Sequence, residues 1–208
     1  MPPNKVKPGG GLDFNQQSCD NTNQSLTALV PIDNPVLTSK AYPSFLFYIP
    51  DPSAKISHGE FSILTADEKK RIYQTSVTFT ETPGIIKVEI PSFSQHALEI
   101  GQIYHWYFKI YCQDAPEKAR FLNVDGWIKR VSLTPEIESK LEKSTPDIWY
   151  DAIAKEARNI IINPLNLTTR DRWLRLMQYI NQEQLADELI IIHNVSDTDI
   201  KENNPALK

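Results

Sequence analysis

Gln102-Ile103-Tyr104-His105-Trp106-Tyr107-Phe108-Lys109-Ile110-Tyr111-Cys112 is the stretch whose reading decides the fold. Tyr104, Trp106, Phe108, Ile110 and Cys112 fall on one face of an extended chain, and His105, Tyr107, Lys109 and Tyr111 on the other. Side chains alternate across a strand with a period of two, so the first set reads as core and the second as an outward face. Six further short runs rich in β-branched and aromatic residues flank it: Leu26–Val30, Ser44–Ile49, Glu60–Thr65, Arg71–Phe79, Ile85–Ile90 and Gly126–Leu133. Pro, Gly, Asn and Asp separate them; Ala66-Asp67-Glu68-Lys69 closes a hairpin, and Thr82-Pro83-Gly84 is a second turn. Seven short strands at this spacing predict an all-β sandwich.

Upstream of the central strand comes Leu98-Glu99-Ile100-Gly101-Gln102-Ile103-Tyr104. A Leu six residues ahead of a Tyr, with Gly between, resembles the tyrosine corner of fibronectin type III domains. The plainer reading is an ordinary loop entering a strand. The expected fold is a seven-stranded immunoglobulin/fibronectin III-like β-sandwich. The two cysteines, Cys19 and Cys112, are either two inert thiols or one long-range disulfide. In a sandwich of this order the first strand starts, and the sixth ends, at one pole. Cys19 lies just before the first and Cys112 ends the sixth, so the topology favours the disulfide, although 93 positions separate them. Such a closure contributes about 4–5 kcal/mol in the chain-entropy model and implies an oxidising compartment.

From Thr134 the period changes. Thr134-Pro135-Glu136 and Thr145-Pro146-Asp147 both place a capping residue ahead of a Pro at the first helical position. The first helix is expected to run to Lys143, and the second over Asp147–Ile162 with Trp149, Ile153, Ala157 and Ile160 on one side. A third follows Thr169 with Trp173, Met177 and Ile180, and a short fourth spans Glu183–Ile192. One such helical hairpin is no repeat array; packing against the sandwich is its expected role. The chain therefore divides into a flexible leader over 1–24, a sandwich over 25–133, a helical region over 134–193 and a disordered tail over 194–208.

These elements resemble a cyanobacterial family described only as a domain of unknown function, number 928. The resemblance rests on Leu26-Thr27-Ala28-Leu29-Val30-Pro31, Phe45-Leu46-Phe47-Tyr48-Ile49-Pro50 and Thr82-Pro83-Gly84-Ile85. It continues in Tyr104-His105-Trp106, Gly126-Trp127-Ile128-Lys129-Arg130-Val131 and Ile148-Trp149-Tyr150-Asp151-Ala152. It implies a secreted protein, with cysteines near these two positions, and no assigned activity. The Asp/Asn/Lys-rich C-terminal end departs from it.

Twenty-two basic against 26 acidic residues give a net charge of −4, with no Lys/Arg block, so no nucleic-acid partner is expected. The longest apolar runs, Ile160–Ile162 and Leu189–Ile192, fall far short of the roughly 20 residues a spanning helix needs, which leaves membrane association peripheral at most. Met1-Pro2-Pro3-Asn4 is not a signal peptide, and Met1 reads as an added start after one was removed. No G-x-S-x-G, H-E-x-x-H, S-x-x-K or phosphate loop occurs, and no D-x-[DN]-x-[DN]-G calcium loop. No catalytic residue, metal or cofactor is expected. His58 and His96 fall in predicted loops, and His193 and His105 are scattered. Asp67/Glu68 read as a solvated turn tip and Asp125-Gly126 as a turn before the last strand.

The candidate binding face is His105, Tyr107 and Tyr111, with Tyr48 as a neighbour, because aromatic strand faces stack on sugars or anchor partners. The competing expectation is that the helices bearing Trp149 and Trp173 cover this face. The function expected is an extracytoplasmic interaction or scaffold module, secreted or periplasmic, binding a protein or a glycan without catalysis. The alternative is a secreted hydrolase whose site follows no known motif. Nothing in the sequence speaks to oligomeric state.

Overall fold

A computed structural model describes residues 18–20, 23–32, 35–113 and 120–192. Most of the expected leader, the whole expected tail and His193 lie outside these residues. The described chain forms two sheets and three α-helices in the order β1 (Thr27–Ala28), β2 (Val36–Thr38), β3 (Ser44–Ile49), β4 (Ile56–Thr65), β5 (Arg71–Val77), β6 (Gly84–Glu89), β7 (Ile103–Cys112), β8 (Phe121–Arg130), α1 (Pro135–Glu142), α2 (Trp149–Ile162), α3 (Leu167–Tyr179) and β9 (Ile190–Ile192). One sheet has the order β1-β3-β6-β9, the other β2-β8-β7-β4-β5.

Among the described residues nine strands stand where seven were expected. The added pair, β2 and β9, are three residues each, too short for a period to show. β2 runs parallel to β8, with Val36 opposite Ile128. β9 replaces the helix expected over Glu183–Ile192: Glu183–Leu185 makes a single 3-10 turn, and the isoleucines then extend alongside β6. β-branched side chains favour an extended, half-buried edge over a helix. Gly84 permits the approach, since a Cβ there would lie 2.9 Å from the Leu189 carbonyl oxygen that accepts from Ile85 N.

Between the sheets the core is aromatic. Phe47 stacks on Phe108 at 4.3 Å, Phe45 meets Phe61 at 4.7 Å, and Trp106 lies against both Phe45 and Phe47. Alternation along β7 holds: Trp106, Phe108 and Ile110 are fully buried on the inner face. β8 spans Phe121–Arg130 rather than Gly126–Leu133, so Asp125-Gly126 is no turn. Gly126 sits mid-strand opposite Trp106, and a Cβ there would meet the indole at 2.4 Å. The glycine is the space in which the Trp106 ring lies.

At the strand's start, the Tyr104 hydroxyl accepts a hydrogen bond from Glu99 N at 2.8 Å, the bond a tyrosine corner makes. At its other end Cys112 is bonded to Cys19, with Cα atoms 5.5 Å apart. Arg120 donates to the Ser18 carbonyl at 2.6 Å and Asp20 N to the buried Asp51 carboxylate at 2.8 Å, so three consecutive residues are tied to the sandwich at one place.

Residues 134–180 hold the three expected helices with shifted starts: α2 begins at Trp149 after a 3-10 turn over Pro146–Ile148, and α3 begins at Leu167, ahead of Thr169. The Thr134 hydroxyl accepts from Ile137 N, and the Asn166 side chain caps α3 through Thr169 N. α2 packs on β2 and β3, and α3 on α2. Its first turn enters the core: Trp149 Nε1 donates to the Leu29 carbonyl at 2.8 Å, and Trp106 Nε1 donates to the Tyr150 hydroxyl at 2.7 Å. The buried Asp151 carboxylate accepts from the hydroxyls of Thr38 and Ser39 and from Ser39 N. Five hydrogen bonds at one junction make α2 part of the sandwich core rather than an appendage. The β1-β3-β6-β9 sheet is consequently buried on both faces. Phe45 and Phe47 point to the other sheet, and Leu46, Tyr48, Ile85 and Lys87 are buried as well.

Candidate functional site

The outer face of the β2-β8-β7-β4-β5 sheet gathers the residues outside the core of β7. Cross-strand pairing fixes its rows. His105 sits between Trp127 and Leu64, Tyr107 between Asp125 and Ser62, Lys109 between Asn123 and Glu60, and Tyr111 between Phe121 and His58. Such directly opposed pairs are close enough to interact, and the His105 and Tyr111 rows do so through their rings.

At one end the His105 ring stacks on Trp127, with centroids 4.0 Å apart and planes 9° from parallel. Its Nδ1 lies 2.7 Å from Glu68 Oε1 and its Nε2 2.9 Å from Asp125 Oδ2. Tyr107 OH donates to the same Glu68 oxygen at 2.9 Å. The His105 bond, then the Tyr107 bond, holds the Glu68 carboxyl below its ordinary range. Burial, then Glu68, pushes the Tyr107 hydroxyl up. Each ring nitrogen thus faces a carboxylate, and the Tyr107 hydroxyl also lies 2.9 Å from Nδ1.

At the other end His58 stacks on Tyr111 at 4.5 Å, Phe121 approaches Tyr111 at 5.9 Å, and the Lys109 ammonium stands 5.6 Å from the Phe121 ring centroid. Burial raises the Tyr111 hydroxyl, with Glu60 adding to it. Phe121 is 47% exposed at the rim, while Tyr107, Lys109 and Tyr111 are half-buried. The face is therefore a preorganised aromatic strip with a charged network at one end.

Three of the four expected face residues come together here: His105, Tyr107 and Tyr111. Tyr48 does not. It lies on β3 in the other sheet, buried, its hydroxyl bonded to Gln24. Burial raises its pKa, and the Glu188 carboxylate in the segment before β9 and that of Asp51 add to this. A Phe-Leu-Phe-Tyr run buried on both faces carries no period that separates the two sides.

The helices do not cover the face either. α2 takes its contacts from β2 and β3, whereas the neighbours of His105, Tyr107 and Tyr111 come from the same sheet and its β4–β5 turn. Trp149 and Trp173 bury themselves in the sandwich edge and the helical hairpin instead.

Glu68 and Asp125 belong to the site, although the sequence places Glu68 at a solvated turn tip and Asp125 in a turn before the last strand. Glu68 holds a left-handed backbone, φ 58°, which turns its side chain back over β7. His58 is a strand residue of β4 rather than a loop residue. His96 is buried, its Nδ1 2.9 Å from the Ile72 carbonyl. Among the described residues no cluster of three or more His, Cys, Asp or Glu is placed to hold a metal ion. No helix among them is long and apolar enough to cross a membrane.

No curated protein matches the chain. A family model does, over residues 8–190, which takes in both sheets, the disulfide and the helical hairpin. The chain therefore belongs to the family described as Domain of Unknown Function (DUF928).

Proposed function

We propose that this chain is an extracytoplasmic interaction module of the cyanobacterial cell envelope, and that it binds a protein partner through the outer face of its five-stranded sheet. The observation that carries the reading is the ordered aromatic strip of Tyr107, Tyr111 and Phe121, backed by the buried His105–Trp127 stack and, among the described residues, not covered by the helices. Rigid rings bury much area at low entropic cost, and a Tyr hydroxyl still finds a partner there. The Cys19–Cys112 disulfide supports an oxidising compartment, secreted or periplasmic. The order β1-β3-β6 facing β8-β7-β4-β5, with the Tyr104 corner, supports an immunoglobulin/fibronectin III-like frame. β2 and β9 are additions to it.

A glycan would use the same strip by ring stacking. A protein fits it better, because Trp127 already has one ring face occupied by His105. A hydrolase would use the His105, Glu68, Asp125 and Tyr107 cluster. A general base needs a free nitrogen, and both nitrogens of His105 face carboxylates, which supports binding over proton transfer. The test is affinity capture from a cell-envelope extract with the full chain beside its Tyr107→Ala/Tyr111→Ala variant. A protein retained by the parent and lost by a variant that melts normally supports the reading. A variant that melts normally and retains every partner overturns it.

A further inference from the structure

A second surface, remote from the aromatic strip, lies between the α2–α3 hairpin and the segment that leads into β9. It is a groove of about 690 Å³ with Trp173, Leu174, Ile160 and Leu189 among its walls. Grooves of this size hold a peptide segment or a small ligand. Leu174 and Leu189 remain exposed along it, and Leu165 and Leu167 at the adjoining hairpin tip are 84% and 81% exposed. Leu165 and Leu167 do not line the groove itself but extend apolar surface beside it.

Two features define the occupant. The first is charge. Asp171, Glu183, Asp187 and Glu188 line the groove against one cation, Arg170. Arg170 is already bonded to Asp187 at 2.8 Å, and Asp171 to Arg175 at 2.8 Å. Glu183 and Glu188 form no ion pair among the described residues. The rim therefore presents uncompensated negative charge. The second feature is an open sheet edge. β9 is the last strand of its sheet and pairs only with β6 among the described residues. The backbone groups on its other side are a template for an added strand.

We propose that this groove takes an extended segment of a partner protein in which Lys or Arg alternates with aliphatic residues, and that the segment adds to the free edge of β9. Its aliphatic side chains enter the groove beside Leu174 and Leu189, and its cations meet Glu183 and Glu188. The site is independent of the aromatic strip, so either proposal can fail alone.

The probe is a fluorescein-labelled peptide of alternating Lys and Val, about six residues long, the usual length of a strand. A Glu-Val peptide of equal length is the control. Fluorescence anisotropy with the full chain should show saturable binding of the Lys-Val peptide, about tenfold or more tighter than the control. Glu183→Lys/Glu188→Lys, shown by melting to be folded, should lose about tenfold or more. Amide hydrogen exchange at Ile190, whose N–H faces away from β6, should slow when the Lys-Val peptide is added. Equal affinity for the two peptides, absence of saturable binding, binding unchanged in the charge-reversed variant, or binding without protection at Ile190 each overturns the proposal.

Discussion

Glu68 keeps a left-handed backbone at a turn where glycine or asparagine would be unstrained. Conformations of this kind cost about 1–3 kcal/mol and persist where surrounding contacts hold them. Here the contacts are His105 and Tyr107. A carboxyl with a lowered folded pKa stabilises above its ordinary value of 4.5 and loses that contribution as pH falls through the folded one. Glu68→Gln should accordingly be less stable than the parent near neutral pH, by less than about 1 kcal/mol because the group is largely solvated. The difference should shrink below pH 4.5, the group's ordinary value. Denaturant titrations of both proteins at several pH values check this; a gap that is constant with pH would exclude the ion pair as its source. Gly126 gives a larger expected effect. Ala at this position drives its methyl into the Trp106 indole, and overpacking of this kind costs about 1–3 kcal/mol. A chemical melt of Gly126→Ala reads that loss directly, and an unchanged midpoint would mean that the ring moves freely. Period two was enough to place His105, Tyr107 and Tyr111 on one face. It could not reveal Glu68 or Asp125, because an acid in a turn-like run gives no sign of which ring it will reach across strands.

Elements were legible where they carried a period or a cap. β7, β3 and β5 start within a residue of their sequence-read positions, and α1 and α2 follow their Thr-Pro signals. β2 and β9 escaped because three residues display no period, and Leu189–Ile192 reads equally as a helix end. β8 was shifted because Asp-Gly is a strong turn signal and the glycine is there for Trp106 instead. The docking of α2 and α3 follows from their apolar stripes, but the stripes do not say against which sheet face. Trp173 is the element-scale probe. It is buried in the hairpin, and its Nε1 donates to the Ala186 carbonyl at 3.0 Å. Trp173→Ala should cost about 3–5 kcal/mol. A loss below about 0.5 kcal/mol would place the residue at the surface, within the range of ordinary surface changes.

At the scale of the whole molecule, one sheet is buried on both faces and the other is left with an ordered outer face. The disulfide fixes the start of the described chain to the end of β7, so the strand that supplies the face is anchored at both ends, by Cys112 and by the Tyr104 corner. Closing 93 residues into a loop contributes about 4–5 kcal/mol in the chain-entropy model. A rigid face loses little entropy when a partner covers it. The most direct measurement is hydroxyl-radical footprinting of the chain alone and in its captured complex. Tyr107, Tyr111 and Phe121 should lose reactivity on complex formation, while Tyr179, 56% exposed on α3, keeps its own. Protection of Tyr179 with Tyr111 and Phe121 unchanged would contradict the account.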